Sequence, residues 1–333
     1  MAHSMRTRRL IGIGALALAF AAAAANGYAQ DVSLRYHWTA RDEWRTRATQ
    51  HTSTTISAGQ QGAGGSLEHT MTQVFRTVVE GVAADGSATL RQVIESVRVE
   101  MRLPTGTIQF DSDAAGADAS GNPMAQAMSA AYGALIGQPV RMVVSPAGAI
   151  LKVEGFSQLL ERVLNAQPGN RVTPEVVEGF RNVFRDDATR DMLAWGVAPF
   201  PDRPLHAGDT WQDSGTATVP IVGTSTTRRE WTLRDVARTD GGSTAHVAAT
   251  FTMEPDPSAP PPARGPMPMP FHLGASSGES ELLFDLSRGR VQRTTTTIVM
   301  PVTMSLAAGP EPKTMELQIT ATMTLEVIEP ASR

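Results

Sequence analysis

The chain contains no cysteine, and this absence excludes several kinds of chemistry. Disulfide bonds, thiol catalysis and thiolate metal sites all need cysteine, and so does lipid attachment at that residue. With 333 residues, the chain is long enough to be stabilised by a large hydrophobic core without cross-links. We therefore expect no cysteine-dependent site, and the sequence indicates no other cofactor.

Lysine is nearly as scarce, since only Lys152 and Lys313 occur among 29 basic residues. The formal net charge is −4 at pH 7. An acidic chain without a basic patch lacks the charge that neutralises phosphates when a protein binds nucleic acid. The composition therefore predicts no nucleic-acid partner.

Long apolar runs are also missing, except for residues 10–25. This run follows three arginines and precedes Gly27-Tyr28-Ala29, a pattern typical of a secretory signal peptide. The run is shorter than the ~20 residues that usually span a membrane, which favours cleavage after Ala29 over a retained anchor. The sequence thus predicts a signal peptide over 1–29 and a periplasmic or secreted protein with no membrane span after cleavage.

Alternating apolar and polar residues indicate long β-strands on both sides of a helical section. Asp85-Gly86 lies between two such stretches, 66–83 and 88–103, and predicts a hairpin. A second hairpin is expected from 224–237 and 243–254, and further strands are expected at 33–38, 42–57, 106–113, 278–286, 290–306 and 314–328.

Apolar residues at helical spacing predict three or four helices between the two β sections. Asn122-Pro123 is a start signal for the first, and Phe156 begins the apolar stripe of the second. Thr173 is expected to open a third helix, and Asp187 a short fourth. The eight prolines of 255–270 predict an extended or mobile segment.

These patterns predict an α+β fold that is mainly antiparallel β. We expect long curved strands in one or two sheets, with a helical insert of three or four helices packed on the apolar face. A single domain is expected over 30–333. Its β parts, 30–121 and 205–333, flank the helical insert at 122–198. Both parts have a Trp-led strand and an Asp-Gly hairpin, which suggests two related halves.

Several stretches resemble an uncharacterised family of exported bacterial proteins, catalogued as a domain of unknown function. They include "GQPVRMVVSPAGAILKVEG" at 137–155, "RPLHAGDTWQ" at 203–212 and "FDLSRGRV" at 284–291. The resemblance implies an exported β-rich domain. It implies no catalytic residue, because the glycines in these stretches fit turns or close backbone contacts.

The most distinctive apolar pattern lies on the last long strands, where methionine recurs at alternate positions. Methionine is flexible and polarizable, so it suits surfaces that accept varied apolar shapes. Such a face is either a filled core or a cleft for an apolar or lipid-like molecule. The candidate ligand-binding residues are Met253, Ile298, Met300, Val302, Met304, Met315, Leu317 and Met323.

Patterns that carry catalysis or metal binding are missing from the sequence. The histidines do not have metal-site spacing, and no Gly-x-Ser-x-Gly motif occurs. The leading interpretation is an exported, non-enzymatic envelope protein that binds an apolar ligand between sheet and helices. One alternative is a structural or interaction module of the envelope, with 42–57 and 66–83 as strands that pair with another protein. The other is a hydrolase whose histidines and acids converge only in the fold.

We predict that the exported protein begins at Gln30, because the small residues before it suit the cleaving peptidase. The leader contains three arginines and no acidic residue, so its loss changes the net charge from −4 to −7. Intact-mass spectrometry of the protein recovered from the envelope fraction should give the mass of residues 30–333. A mass that still includes the leader would contradict cleavage.

Overall fold

The computed structural model places most of the chain in one antiparallel sheet. The expected signal peptide, the start of the expected helix at Thr173 and the proline-rich segment beyond Ser258 lie outside the residues that it describes, although residues 177–178 and 181 of that expected helix are described and helical. Those residues are 31–58, 65–104, 106–114, 123–166, 177–178, 181, 185–194, 197–219, 223–239, 242–258, 271–306 and 313–328.

Thirteen strands form the sheet in the described part of the chain. Their bounds are Glu43–Ala58 (β1), Gly65–Val82 (β2), Ala88–Leu103 (β3), Gly106–Asp111 (β4), Pro139–Val144 (β5), Ile150–Glu154 (β6), Thr210–Val219 (β7), Gly223–Thr239 (β8), Gly242–Pro255 (β9), Phe271–Leu273 (β10), Ser276–Asp285 (β11), Arg290–Leu306 (β12) and Lys313–Ile328 (β13). Their order is β6-β5-β3-β2-β1-β13-β12-β11-β9-β8-β7, with β4 beside β3 and β10 beside β12.

Two meanders, one from each end of the chain, meet where β1 pairs with β13. The predicted hairpin at Asp85-Gly86 is confirmed. The Asp85 carboxylate accepts hydrogen bonds from the backbone N–H of Ser87 at 2.9 Å and from its hydroxyl at 2.7 Å, while Gly86 has a φ of +81°. An aspartate that caps its own turn, followed by a glycine with positive φ, explains why the chain reverses here.

The central position of β1 and β2 corrects one expectation. Strands 42–57 and 66–83 were expected to offer a free edge to another protein, but both are hydrogen-bonded on each side. Their backbone N–H and C=O groups are therefore used within the sheet and cannot pair with a further strand.

The two faces of the sheet differ in polarity because side chains alternate along each strand. We call the face that carries Met300, Met304, Met315 and Met323 the apolar face, and the opposite side the threonine face. On the threonine face, cross-strand hydroxyls lie close together, with Thr297 Oγ1 3.1 Å from Thr322 Oγ1. The long alternating strands of the second β section are thus confirmed.

The stretch 33–38 was expected to be a strand, and this prediction is wrong. Within 31–38 only Val32 forms a bridge, to Leu205, and the stretch lies against the base of the apolar face. Its backbone bonds to turns instead: Tyr36 N–H donates to Pro146 O at 2.8 Å and His37 N–H to Gly289 O at 3.0 Å. The aromatic alternation that resembles a strand serves to insert rings into the core.

Three helices are described: Pro123–Leu135 (α1), Phe156–Ala166 (α2) and Asp186–Ala194 (α3). Helix α1 packs Met128 and Tyr132 against buried residues of β3 and β4, together with Ile136 just beyond its end, and α2 lies beside α1. Helix α3 contacts both β6 and β7, which are the two ends of the strand order. The sheet therefore curls far enough for its two edges to reach the same helix.

The expected helical insert of three or four helices packed on the apolar face is matched only in part, because the described helices do not make their main contacts with the methionine strands β12 and β13. The main contacts of the described helices are with β4, β6, β7 and one another. Helix α1 does pack on the apolar face, but at Val97, Val99 and Phe110 of β3 and β4, which β1 and β2 separate from β13. None of the described helices is both long and apolar enough to cross a bilayer.

We predict that Gly289→Ala destabilises the fold more than Gly208→Ala. Both glycines have positive φ, at +58° and +93°, which costs an alanine about 1–2 kcal/mol. A Cβ on Gly208 would meet nothing within 4 Å, whereas one on Gly289 would lie 2.5 Å from the His37 nitrogen. Overpacking of this kind adds about 1–3 kcal/mol.

Urea unfolding followed by circular dichroism measures the difference, with Gly208→Ala as the control for φ alone. An equal decrease in the free energy of unfolding of the two variants would mean that the close contact between Gly289 and the segment at His37 does not contribute to stability.

Candidate functional site

The predicted ligand-binding residues come together on one face. Cross-strand partners lie side by side, and the partners on β12 and β13 are Met304 with Met315, Val302 with Leu317, Met300 with Ile319, and Ile298 with Ala321. Met253 lies further along the same face on β9, whose residue Phe251 pairs with Gly278, the partner of Ile298. Met323 extends the row toward the base of the sheet.

These residues differ in burial. Met253 is 3% exposed and belongs to the core, whereas the candidate residues on β12 and β13 are only half-buried. A filled core would bury them as fully as Val247 or Phe284, which are at 0%. The upper part of the apolar face is therefore partly accessible along two adjacent strands.

The neighbouring strands β1 and β2 add polar side chains to the apolar face. Opposite Met323, Ala321 and Ile319 lie Gln50, Thr52 and Thr54, and the next strand adds His69. Burial lowers the pKa of His69. The same strands also bring Ile56, Leu67 and Met71 to this face, so a molecule there would contact amide, hydroxyl and imidazole groups among apolar ones.

An apolar pocket of about 240 Å³ lies at the base of the apolar face, and we call it the base pocket. It is lined mainly by side chains from five parts of the chain: Trp38, Trp44, Leu90, Met142, Val144, Ile150, Leu282, Leu325 and Val327. Sequence reasoning missed it, because its lining residues are far apart in the chain and form no motif. Only the two tryptophans, in a chain with few aromatics, gave any signal.

The wall of the base pocket is an aromatic stack. The ring centroids of Tyr36 and Trp38 are 5.4 Å apart, and those of Trp38 and Trp44 6.2 Å apart. The Arg290 guanidinium lies 5.2 Å from the centroid of Trp44 and 3.3 Å from a carboxylate oxygen of Asp42. Its side chain is 17% exposed, so a positive charge lies at the edge of a mainly apolar pocket whose lining also includes Glu326.

A second concavity, on the threonine face, is wide and polar. Its volume is about 920 Å³, and Arg228, Glu230, Thr250, Glu279 and Thr297 are among its lining residues. The charges in it have ordinary surface partners, such as Gln212 Nε2, which donates to Glu230 at 2.8 Å. Most of its lining side chains are polar or charged, whereas apolar and aromatic side chains usually dominate small-molecule sites.

The described histidines are the candidates for metal binding or for the hydrolase alternative. No cluster of three metal-ligating side chains occurs in the described residues. His51 and His69, which cross-strand pairing could have joined, point to opposite faces, and the ring of His51 is 3.1 Å from Thr70 Oγ1. His246 contacts the carboxylates of Glu281 and Asp235. These contacts include no hydroxyl nucleophile.

Comparison with known proteins identifies the family of the chain. The model of a family of unknown function, DUF6263, matches residues 85–289, which is more than half of the chain. No curated protein matches it.

Several solved structures are loosely similar. A lipovitellin structure, described for its lipid–protein interactions, is 11% identical over 89% of this chain, with a TM-score of 0.42; the chain spans 26% of that protein. OpdQ of Pseudomonas aeruginosa is 8% identical over 86% of this chain and 99% of its own, with a TM-score of 0.18. A DUF1329 family protein of Desulfovibrio piger is 8% identical over 86% and 87%, with a TM-score of 0.14.

We predict that the tyrosines of a chain without residues 1–29 ionise only at unusually high pH. Burial raises the pKa of both Tyr36 and Tyr132 above the usual value of about 10. A raised pKa in the fold adds stability below the pKa of the unfolded chain, and this stability is lost as pH rises through the folded value. Phenolate absorbance should therefore appear together with unfolding.

Tyr132→Phe leaves Tyr36 as the single tyrosine of that chain, and Tyr36→Phe leaves Tyr132. Ultraviolet titration of both variants, with circular dichroism at each pH, separates the two groups. Ionisation of Tyr36 near pH 10 in a folded protein would show that its ring is not buried beside the base pocket.

Proposed function

Because the chain belongs to DUF6263, a family of unknown function, we propose a function from its own surface: it is a non-enzymatic envelope protein that binds an apolar, lipid-like molecule on the apolar face. The half-burial of the β12 and β13 residues, in a continuous row above the base pocket, carries this proposal.

The energetics favour a ligand on this face. Each Å² of apolar surface removed from water contributes about 25 cal/mol. The side chains of Met300, Met304, Met315 and Met323 are partly accessible, so a bound chain would cover surface that the described helices leave uncovered. Methionine adjusts its shape to the bound molecule because its unbranched side chain rotates freely.

The location in the envelope is part of the proposal and rests on the N-terminal sequence. The arginines, the apolar run and the small residues before Gln30 have the order of an export signal. A carrier of insoluble molecules suits an aqueous compartment between membranes, where a lipid needs a protein to cover its chain. The alternative of an interaction module is weakened, because β1 and β2 have no free edge.

We predict that a neutral long-chain probe, hexadecanol, protects the half-buried methionines from oxidation. In the protein without probe, peroxide should oxidise Met300, Met304, Met315 and Met323 faster than Met253, which is 3% exposed. Bound probe should slow the first four and leave the already slow Met253 unchanged. Peptide mass spectrometry reads each residue separately.

Protein that has been gently purified from its envelope should also be examined by native mass spectrometry for bound lipid. If the probe changes no methionine, and no lipid accompanies the purified protein, the apolar face is an internal surface and the proposed function is wrong.

A further inference from the structure

We infer that the base pocket binds the acidic head of the ligand, so that the molecule carried is a long-chain amphiphile with an anionic oxygen head, a carboxylate or a phosphate. This inference rests on the proposed function and names the ligand class of the same face. The juxtaposition that carries it is a largely buried, under-bonded guanidinium at the edge of an apolar pocket that opens onto the apolar face.

Arg290 has more hydrogen-bonding capacity than the described residues use. A guanidinium has five N–H donors. Within the described part of the chain, the side chain of Arg290 makes one ion pair, at 3.3 Å to Asp42, and stacks on Trp44. Because this side chain is only 17% exposed, water reaches little of it. A further acceptor would relieve the cost of holding a charge in these surroundings.

The carboxylate of Asp42, which pairs with Arg290, can be replaced by the anionic head of a ligand. Asp42 is 48% exposed, and a charge that faces water at this level contributes little to a salt bridge. An anionic head that approaches from the apolar side would be less well hydrated than Asp42 and could accept two N–H bonds in parallel. The stacking of Arg290 on Trp44 would hold the guanidinium in place while its N–H groups bind the head.

The sign of the charge in the base pocket selects the head group. Two charged side chains line it, Arg290 and Glu326. Glu326 already accepts a hydrogen bond from Arg47 at 2.8 Å, so its charge is offset. Arg290 is also paired, with Asp42, but its side chain is the more buried of the two, 17% exposed against 34% for Glu326. Its remaining N–H donors can bind an anionic head and cannot bind a protonated amine.

The size of the base pocket indicates where the rest of the ligand lies. Its 240 Å³ is about eight times the volume of one water molecule, enough for a head group and a few carbons. The pocket includes Leu325, from which the apolar row continues along β13 to Met315. Ten residues of strand span about 33 Å, so an extended acyl chain fits along this row.

The test compares hexadecanoate and hexadecyl phosphate with hexadecanol, which has the same chain and a neutral head. The wild-type protein should bind at least one of the acids more tightly than the alcohol. Arg290→Gln should weaken binding of that acid about ten- to a hundredfold and leave the affinity for the alcohol unchanged. Arg293→Gln, on the exposed side of the same strand, is the matched control and should change neither affinity.

A second variant separates head-group binding from a structural role of Arg290. Asp42→Asn removes the competing carboxylate, so it should raise the affinity for the acid. If the Arg290–Asp42 pair only stabilised the fold, this variant would weaken binding of acid and alcohol alike. Melting curves of each variant check that the sheet remains folded.

The outcomes are distinguishable. Equal affinities of the wild-type protein for both acids and the alcohol, or equal effects of Arg290→Gln and Arg293→Gln, would overturn the acidic head while leaving apolar binding intact. Failure of the wild-type protein to bind any of the three probes would overturn the proposed function and this inference together. Acid preference that depends on Arg290 and increases in Asp42→Asn establishes the ligand class.

Discussion

The aromatic stack at the base of the sheet is the interaction on which the remaining architecture depends. Tyr36 packs against Phe200, which precedes β7, and against Phe284 of the second β section, while Trp38 stacks on Trp44 of the first. One short segment thus contacts both meanders at the same end. Rings of this size bury a large area and prefer defined geometries, so they fix the distance between the two halves of the sheet. The base pocket exists because that distance is fixed.

The strands could be predicted from the sequence because their alternation is long and regular. Met315 through Val327 alternate with polar residues without a break, and the same alternation placed the candidate ligand residues on one face. The Asp85-Gly86 hairpin was predictable because its turn is stabilised locally. Where the local structure depends on residues close in sequence, the sequence pattern was sufficient to predict it.

The predictions were wrong where contacts between residues far apart in the sequence determine the structure. The stretch with Tyr36 and Trp38 alternates like a strand, yet its backbone bonds to turns near Pro146 and Gly289. Helix α1 was predictable as a helix, but its partner was not, because several strands offered an apolar side. The base pocket combines side chains from five parts of the chain and has no local signature. Arg290 has no sequence signature that separates it from the other arginines, since its role follows from Trp44 and Asp42 beside it.

The pairing of β1 with β13 has a consequence for how the molecule forms. These strands are the first and last long strands of the chain, so the middle of the sheet depends on contacts of very large sequence separation. Such topologies fold slowly. During synthesis, β1 emerges long before its partner, and until then the growing chain exposes unpaired strand edges to other chains. The incomplete chain is therefore the form most prone to aggregation, and β13 removes that hazard as it docks.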